Sequence, residues 1–511
     1  MNRSEHTLLS EFLPVLALSS ATIILHFIAN AMSYGYFRDE LYYLACANHP
    51  DIGYVDHPPL SIWLLSVSRT LLGESVFAVR AVPALVHAAV VLLAGSITLE
   101  LHGSRFAQFT ASLCTALCPV MLGMSGIYNM NPYDLLLWAS TFFALLRLLR
   151  TDEPRWWIVI GVVLGIGAMN KISILWLAFG LAAGVSLTEH RRWFKTRWPW
   201  IAAAIAAVIF LPFIIWNAQH DFAHVEFARR AATQKYASQN PLTFFSGLLL
   251  INNPLTLPVW LAGFWFLLKN KEHRVIGISI AVVLLILIVN VHSKSEYFTA
   301  AMTPLFAAGA VVLEQFTEPV SRRWLRSISL LCIVATGLTI APLSIDLLPV
   351  NTFIRYQAAL GVAPPSTEGQ HLEGLPQHFA DRFGWRELAD TVARVYRALP
   401  EDVRKDCAVM GGNYGEAAAM DFFGRAMGLP PAISQHNSYF YWSLKEYRGA
   451  KHFIIIRERK EDLESVFESV EESATLHADY AMPYENAKKV YLCKNLKVPF
   501  EPVWKQGKDF N

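Results

Sequence analysis

The sequence predicts a polytopic α-helical membrane protein that ends in a small α/β domain. Of its 511 residues, 54% are hydrophobic and only 16% are charged, whereas soluble globular domains carry about 25% charged residues. Repeated apolar runs of about 20 residues match the length that a helix needs to cross a bilayer. From about residue 346 these runs stop and a more polar composition begins. The net charge of +2 and the lack of a long basic run give no indication of a nucleic-acid partner.

The first apolar run, from Phe12 to Ser33, contains 22 residues and no Asp, Glu, Lys or Arg. No small-residue cleavage site follows it, so we expect a retained membrane span. Ten further apolar runs predict spans, which gives about eleven in total. They are residues 76–100, 106–124, 132–150, 156–170, 172–187, 199–216, 244–268, 275–291, 297–313 and 327–345. The run from Leu60 to Leu72 has only 13 residues and predicts a helix at the membrane interface.

Basic residues in alternate loops predict the orientation of these spans. The loops in question carry Arg105; Arg150 and Arg155; Arg191, Arg192, Lys195 and Arg197; Lys269, Lys271 and Arg274; and Arg322, Arg323 and Arg326. Short loops rich in Lys and Arg stay in the cytoplasm. The N-terminus is therefore expected inside, and the loops 34–75 and 217–243 of the transmembrane domain 1–345 are expected outside. With eleven spans, residues 346–511 lie outside as well.

Residues 346–511 predict a domain of alternating helices and strands, and about 150 residues suffice for a separate core. Pro364-Pro365 and a polar stretch lead into it. The predicted elements are helices at 385–399, 416–427 and 461–472 and strands at 407–410, 451–457 and 489–493. Cys407 and Cys493 can form a disulfide if this domain is extracytoplasmic, but the sequence does not fix the distance between them.

The loop that follows the first span holds the strongest candidates for catalysis. Asp39 and Glu40 are adjacent carboxylates, with Arg38 before them and Tyr42 after them as candidate substrate- or phosphate-binding residues. Glycosyl transfer to a hydroxyl needs a base that takes the acceptor proton, and one carboxylate can do this. A second carboxylate can orient the acceptor or hold a cation. Two adjacent acids alone favour an ordinary polar loop, but the surrounding tyrosines change this balance because they also suit the C–H faces of sugar rings.

The same loop ends in Asp56-His57-Pro58-Pro59, whose prolines stiffen the return to the membrane. Asp56 and His57 are candidates for binding a divalent cation or a phosphate, and a hydrogen bond at a helix start is an equal alternative for His57. In the next large outer loop, His220 and His224 have the i, i+4 spacing of metal ligands on one helix. A single such pair is weak, and a solvated or substrate-binding helix is the preferred interpretation.

A later outer segment carries Lys294 and Tyr297. Lysine is a compact cation suited to a phosphate leaving group, and its presence on the outer face departs from the positive-inside trend. The alternative is a lysine that extends from an apolar surface into the interface. Lys171, between two apolar runs, raises the same question. Arg80 does so too, with the structural alternative stronger.

Several of these segments together resemble bacterial glycosyltransferase family 39, which is related to dolichyl-phosphate-mannose protein mannosyltransferases and to the aminoarabinose transferase that modifies lipid A. The matching segments are RDELYY, GYVDHPPL, the Lys294/Tyr297 segment running into TPLFAAGA, and NYGEAAAMDFFG with HNSYFYW in the tail. The resemblance follows most of the chain in order. It does not indicate which sugar is transferred.

The resemblance implies a C-type glycosyltransferase fold and a polyprenyl-phosphate-linked sugar donor, used on the outer face of the bacterial inner membrane. It implies that Asp39 is the catalytic base, with Glu40 as its companion, and that Lys294 and Tyr297 lie on the phosphate side. Asp56-His57 stands where the aminoarabinose transferase has a Glu-Lys pair that contacts metal and lipid phosphate, so the histidine departs from that pattern. Asn131 stands where related sequences often carry an aspartate.

The implied mechanism is a single inverting displacement in which the acceptor hydroxyl loses its proton to Asp39 and polyprenyl phosphate leaves. The acceptor can be lipopolysaccharide, another envelope glycan, a lipid or a protein. A transporter or flippase of lipid-linked sugars is the main alternative, and it predicts inverted repeats and mid-span charges. A binding or scaffold protein that uses the tail is the third.

Overall fold

The computed structural model describes residues 3–235, 238–363, 372, 374–447, 449–457 and 459–511, and the side chains from residue 12 onward. Pro364-Pro365 lies outside the described residues. Within the described chain, six helices are long and apolar enough to cross a membrane. They are Phe12–Ala31, Val76–Glu100, Asn131–Thr151, Trp198–Gln219, Ser295–Phe316 and Val320–Leu343. A multi-pass membrane protein is therefore confirmed.

The remaining predicted spans form shorter or broken helices. Two pairs bend sharply: Arg105–Ala116 with Pro119–Ser125 by 58°, and Pro241–Ile251 with Pro254–Lys269 by 100°. Both bends begin next to a proline, which cannot continue the backbone ladder of the preceding helix. If each pair is one span, the described helices supply eight. Three further apolar helices, Arg155–Ala168, Ile174–Ser186 and Arg274–Val289, are 14, 13 and 16 residues long. The count of eleven remains a prediction.

Shorter helices form the loops and connections between the apolar helices. The first loop forms Arg38–Asn48 and Leu60–Leu72, the second of which matches its predicted bounds. Trp63, Leu64, Val67, Leu71 and Leu72 on that helix are exposed, as expected for a helix that rests on a membrane surface. The other connecting segments are Glu189–Lys195, Ala223–Arg230, Ala231–Lys235 and Val350–Ala359.

Glycine allows two of the central helices to approach closely. A methyl group on Gly309 would overlap the carbonyl of Val259, and one on Gly263 would overlap the carbonyl of Leu305. Small residues at such crossings give membrane helices their close packing, because apolar burial alone does not drive association inside lipid. This contact joins Leu257–Lys269 to Met302–Phe316.

The tail is built on a five-stranded mixed sheet. The strands are β1 (Cys407–Met410), β2 (Ala432–Ile433), β3 (His452–Arg457), β4 (Phe467–Thr475) and β5 (Lys489–Leu496), in the order β2-β1-β3-β5-β4. Its helices are Gln377–Ala380, Trp385–Arg397, Glu401–Lys405, Tyr414–Ala419, Tyr439–Glu446, Glu461–Glu464 and Phe500–Gln506. The predicted small C-terminal α/β domain is confirmed.

Two expectations for the tail are corrected. The helix predicted at 461–472 is wrong, because it ends after Glu464 and β4 begins at Phe467. Strand β4 pairs with β5 along its length, and these tertiary hydrogen bonds override the helical periodicity. Cys407 and Cys493 lie on β1 and β5, which are separated by β3. Two strand spacings amount to about 9–10 Å, beyond the reach of a disulfide, and both thiols are free.

Candidate active site

The candidate site is organised by the helix Arg38–Asn48, which lies between the transmembrane helices and the tail. Its first turn carries Asp39 and Glu40, and the Glu40 carboxylate accepts the backbone N–H of Phe37 at 2.8 Å. Acidic groups at a helix start are favoured because they meet unpaired N–H groups and the positive end of the helix dipole. Successive helical side chains point about 100° apart. The two acids therefore face different neighbours.

Glu40 faces the transmembrane helices and is completely buried. Arg80 donates from Nε to Oε1 and from Nη2 to Oε2, each at 2.7 Å, and the N–H of Tyr128 donates to Oε1 at 2.7 Å. Arg80 also donates to the hydroxyl of Ser33 and the carbonyl of Gly35. Glu40 thus holds three chain segments together. This geometry suits a structural carboxylate, not one that exchanges protons with a substrate.

Asp39 faces the tail, and 36% of its side chain remains accessible. Its Oδ1 accepts a hydrogen bond of 2.8 Å from the hydroxyl of Tyr414, which lies on the first helix after β1. The Arg38 guanidinium lies 3.7 Å from the same oxygen. Asp39 therefore combines access to solvent with a hydrogen bond and a nearby cation.

Arg38 connects the loop to the tail. Its backbone N–H donates to the carbonyl of Asp381, and its Nη1 donates to the hydroxyl of Tyr484 at 2.7 Å. Nη2 lies 3.7 Å from the Asp381 carboxylate, and Tyr484 donates to that carboxylate as well. The side chain is only 10% accessible. This placement fits an arginine that joins the loop to the tail better than the substrate-binding role expected from the sequence.

Tyr42 and Asp56 form a second tyrosine–carboxylate pair beside the first. The Tyr42 hydroxyl donates to Asp56 Oδ1 at 2.8 Å and accepts the backbone N–H of Ser438 at 3.3 Å. Burial and the nearby Asp56 charge raise the pKa of Tyr42, so its hydroxyl stays protonated and can donate. The rings of Tyr42 and Tyr414 pack with centroids 4.7 Å apart. The two tyrosine–carboxylate pairs are therefore adjacent, joined by the contact between these two rings.

His57 and His224 are buried close to Asp56. Nδ1 of His57 contacts the carbonyl of Pro58 at 3.0 Å, and Nδ1 of His224 contacts that of Val55 at 3.0 Å. The Nε2 atom of His57 lies 4.0 Å from Asp56 Oδ2. Burial, reinforced by His57, lowers the pKa of His224, although the Val55 carbonyl and Asp56 oppose this shift. Its imidazole is therefore neutral at neutral pH.

The proposed metal ligands are not brought together. His220 ends the helix Trp198–Gln219, and the backbone then turns through positive φ at Asp221 and Phe222, so His220 and His224 do not share a helix face. The His220 ring stacks on Trp216 at 4.1 Å instead. Within the described part of the chain, no group of three or more His, Cys, Asp or Glu side chains could hold a metal ion. The residues do not fit the divalent cation considered from the sequence.

Lys171 lies in a separate polar cluster between the transmembrane helices. Its Nζ donates to Asn131 Oδ1 at 2.7 Å and lies 3.8 Å from Asp134 Oδ2. It also lies 5.2 Å from the ring centroid of Tyr297, within the range of a cation–π contact. Two residues that the sequence singled out separately, Lys171 and Tyr297, are therefore neighbours. Lys294 is half-buried immediately before the turn Ser295–Ala301 that carries Tyr297.

Backbone contacts link this cluster to the acidic helix. The N–H of Leu60 donates to the carbonyl of Met169 at 2.9 Å, two residues before Lys171. Tyr128, which donates to Glu40, is three residues from Asn131, so their Cα atoms are at most about 11 Å apart. Glu40 and Lys171 are thus linked through the segment 128–131.

Sequence reasoning missed the partners that separate the roles of the two acids. Arg80 was treated as a residue with a stronger structural alternative, but its pairing with Glu40 was not foreseen. Tyr414 was part of a matching tail segment without a role of its own. A basic residue inside the long apolar run 76–100 was the available signal for Arg80, because such a charge needs a partner. No local signal links Tyr414 to a residue 375 positions away.

The family model described as dolichyl-phosphate-mannose-protein mannosyltransferase matches residues 56–216. The resemblance to glycosyltransferase family 39 is confirmed. The lipid A galacturonosyltransferase RgtD of Rhizobium johnstonii is 25% identical to the chain over 285 residues, which cover 54% of this chain and 59% of that relative. An undecaprenyl phosphate-alpha-4-amino-4-deoxy-L-arabinose arabinosyl transferase 2 of Pseudomonas fluorescens is 27% identical over 214 residues, or 40% and 36% of the two chains.

The chain thus matches less than two thirds of the length of these relatives. The crystal structure of ArnT from Cupriavidus metallidurans bound to undecaprenyl phosphate superposes with a TM-score of 0.62 at 11% identity. It covers 94% of this chain and 97% of that one. The C-type glycosyltransferase fold expected from the family 39 resemblance is confirmed.

Proposed function

We propose that this chain is a membrane glycosyltransferase that moves a sugar from a polyprenyl-phosphate-linked donor to a hydroxyl of a cell-envelope acceptor. The observation that carries the proposal is the contrast between Asp39 and Glu40. Glu40 is fully buried against Arg80, whereas Asp39 keeps 36% of its side chain accessible beside the Arg38 guanidinium. The names of the similar proteins, which act on lipid A or on undecaprenyl phosphate sugars, support the same class of reaction.

The reaction is a single displacement at the anomeric carbon. The acceptor oxygen loses its proton to the Asp39 carboxylate as it forms the new bond to that carbon. The bond from the anomeric carbon to the phosphate oxygen breaks, and its electron pair leaves with the polyprenyl phosphate. General-base help of this kind contributes about 100- to 10,000-fold to a rate. The configuration at the anomeric carbon is inverted because the two oxygens occupy opposite sides of it.

Lys171 serves the leaving phosphate. Its ammonium is held by Asn131 and Tyr297 and is 15% accessible, so it can reach a charged group that enters between the helices. A fixed cation in such a low-dielectric region stabilises the negative charge that develops on the departing phosphate. Lys294 and Tyr297 border the same turn and complete this side. The lipid tail of the donor lies against the transmembrane helices.

The site lies on the outer face of the bacterial inner membrane. The N-terminus is cytoplasmic, because the basic loops alternate with the loops that carry the site. The tail, residues 346–511, is then periplasmic or extracellular, next to Asp39. The acceptor is lipopolysaccharide, another glycan, a lipid or a protein hydroxyl.

The proposal is tested by incubating the purified protein with polyprenyl-phosphate sugars and envelope extracts. The glycosylated product is detected by mass spectrometry. Asp39→Asn is compared with Glu74→Gln, an accessible acid of the same loop that pairs with Arg69. We expect a loss of about 100- to 10,000-fold for Asp39→Asn and near wild-type activity for Glu74→Gln. Full activity of Asp39→Asn would remove Asp39 as the base. Movement of lipid-linked sugar across the membrane of proteoliposomes, without any glycosidic product, would favour the transporter hypothesis instead.

A further inference from the structure

The tail contributes a side chain to the region of the proposed base. Tyr414 belongs to the helix Tyr414–Ala419, which follows β1 and the Gly411-Gly412 turn. Its hydroxyl donates to Asp39 Oδ1 at 2.8 Å across 375 positions of sequence. This is a direct contact between the two parts of the molecule, made at the accessible carboxylate.

The local structure fixes the position of Tyr414. Asn413 caps the helix by accepting the N–H of Glu416 at 3.0 Å, and its amide donates to Glu485 at 2.9 Å. The backbone N–H of Tyr414 donates to Nδ1 of His436 at 3.3 Å. All three hydrogen bonds act on the segment that carries the ring. The hydroxyl is therefore placed by buried contacts of the tail itself.

The ring of Tyr414 is also held on the loop side. It packs on Tyr42 at 4.7 Å between centroids, and the Arg38 guanidinium carbon lies 5.5 Å from its centre. The next residue is Gly415, where a methyl group would lie 2.6 Å from Cγ of Arg38. Only glycine lets the helix come this close to the loop. The hydroxyl thus has little freedom to leave Asp39.

We propose that Tyr414 is a positioning residue of the transferase, through which the tail orients Asp39 for proton transfer. This inference rests on the proposed function. A hydroxyl that donates to one oxygen of a carboxylate fixes the direction of the second oxygen. Oδ2 is then presented to the acceptor hydroxyl while Oδ1 stays bonded to Tyr414. The domain beyond the membrane is a working part of the site.

The test is Tyr414→Phe, which removes the hydroxyl and keeps the ring on Tyr42. Hydrogen bonds to charged groups are strong enough for a fall in kcat/KM of about 10- to 100-fold, expressed mainly in kcat. The KM for the lipid-linked donor stays close to that of the wild type.

Tyr484→Phe is the matched control. It removes another tyrosine hydroxyl of the same interface, one that contacts Arg38 and Asp381. We expect its kcat to stay close to that of the wild type. A wild-type kcat for Tyr414→Phe overturns the inference, and so does an equal loss of kcat in Tyr484→Phe, which would indicate a general effect on the interface. If Asp39→Asn is inactive while Tyr414→Phe is normal, only this inference fails; if Asp39→Asn is fully active, the proposed base fails first.

Discussion

The two faces of the helix Arg38–Asn48 differ in what surrounds their acids. On the face turned to the transmembrane helices, Glu40 is buried and receives two hydrogen bonds from Arg80. On the face turned to the tail, Asp39 is partly accessible and receives one from Tyr414. Neighbours in sequence thus have opposite surroundings. The difference shows that adjacency of two carboxylates does not make them a catalytic pair.

The two faces also differ in how a substitution affects the stability of the protein. A buried ion pair contributes little net free energy when it is intact, but the loss of one partner leaves an uncompensated charge. An accessible carboxylate has water as an alternative partner, so its substitution affects chemistry more than folding. We therefore expect substitutions on the side facing the transmembrane helices to lower stability, and substitutions on the side facing the tail to lower activity.

The largest effect is expected for Arg80→Met, which tests this division between the two faces. The substitution removes the guanidinium that pairs with the buried Glu40 carboxylate and should lower the free energy of unfolding by about 3–5 kcal/mol. Thermal unfolding in detergent measures the loss. Asp39→Asn in the same assay should stay close to the wild type.

Arg69→Met is the control for Arg80→Met. It breaks a pair with Glu74 whose side chains are 22% and 46% accessible, and such a pair contributes about 1 kcal/mol or less. Adding Glu40→Leu to Arg80→Met should recover part of the lost stability, because no charge is then left alone. Equal destabilisation by Arg69→Met and Arg80→Met would contradict the division.

A smaller effect is expected for Lys171→Met, which extends the comparison to the phosphate side. The loss of a fixed cation near the leaving group should lower kcat/KM by about 10- to 100-fold, within the range seen when a single stabilising group is removed. Initial rates at varied donor concentration measure it. Lys269→Met is the control, because Lys269 also lies over an aromatic ring, that of Trp265, but in a loop assigned to the cytoplasm. The assignment of Lys171 is wrong if both variants behave alike.

The smallest effect is expected from reduction of the tail. All six cysteines of the chain lie in the described residues and are free, so the tail-facing side is held by non-covalent contacts. Dithiothreitol should leave both activity and thermal stability unchanged. Titration of the denatured, unreduced protein should detect six thiols. Four would indicate that one pair is oxidised.

The helical fold was largely predictable because its signal is local. Apolar runs specify helices without reference to distant residues, and the bounds Leu60–Leu72 and Cys407–Met410 match the prediction. The region 461–472 was predicted wrongly as a single helix, because pairing with β5 decides the structure of most of it and lies outside any local window. The span count stays a prediction for a related reason: several helices are too short or too bent for length alone to define a crossing.

The candidate site was predictable as a set of residues, but not as an arrangement. Asp39, Lys171 and Tyr297 were named from residue type and position, and the last two are in contact. The i, i+4 spacing of His220 and His224 failed because it assumes a continuous helix, and the backbone breaks at Asp221. Which acid meets Arg80 and which meets Tyr414 depends on how the tail packs on the loop. No single segment contains that information.

Strand β4 forms one edge of the tail sheet, and its outward side chains include Glu468, Glu471 and Glu472, all exposed. An open strand edge is a template for pairing with another chain, and like charges along it oppose such pairing. Molecules confined to a membrane plane meet each other far more often than molecules diluted in three dimensions. Glu472 pairs with Lys489 at 2.9 Å, so the carboxylates of Glu468 and Glu471 are the charges at this edge that disfavour its pairing with the equivalent edge of a neighbouring copy.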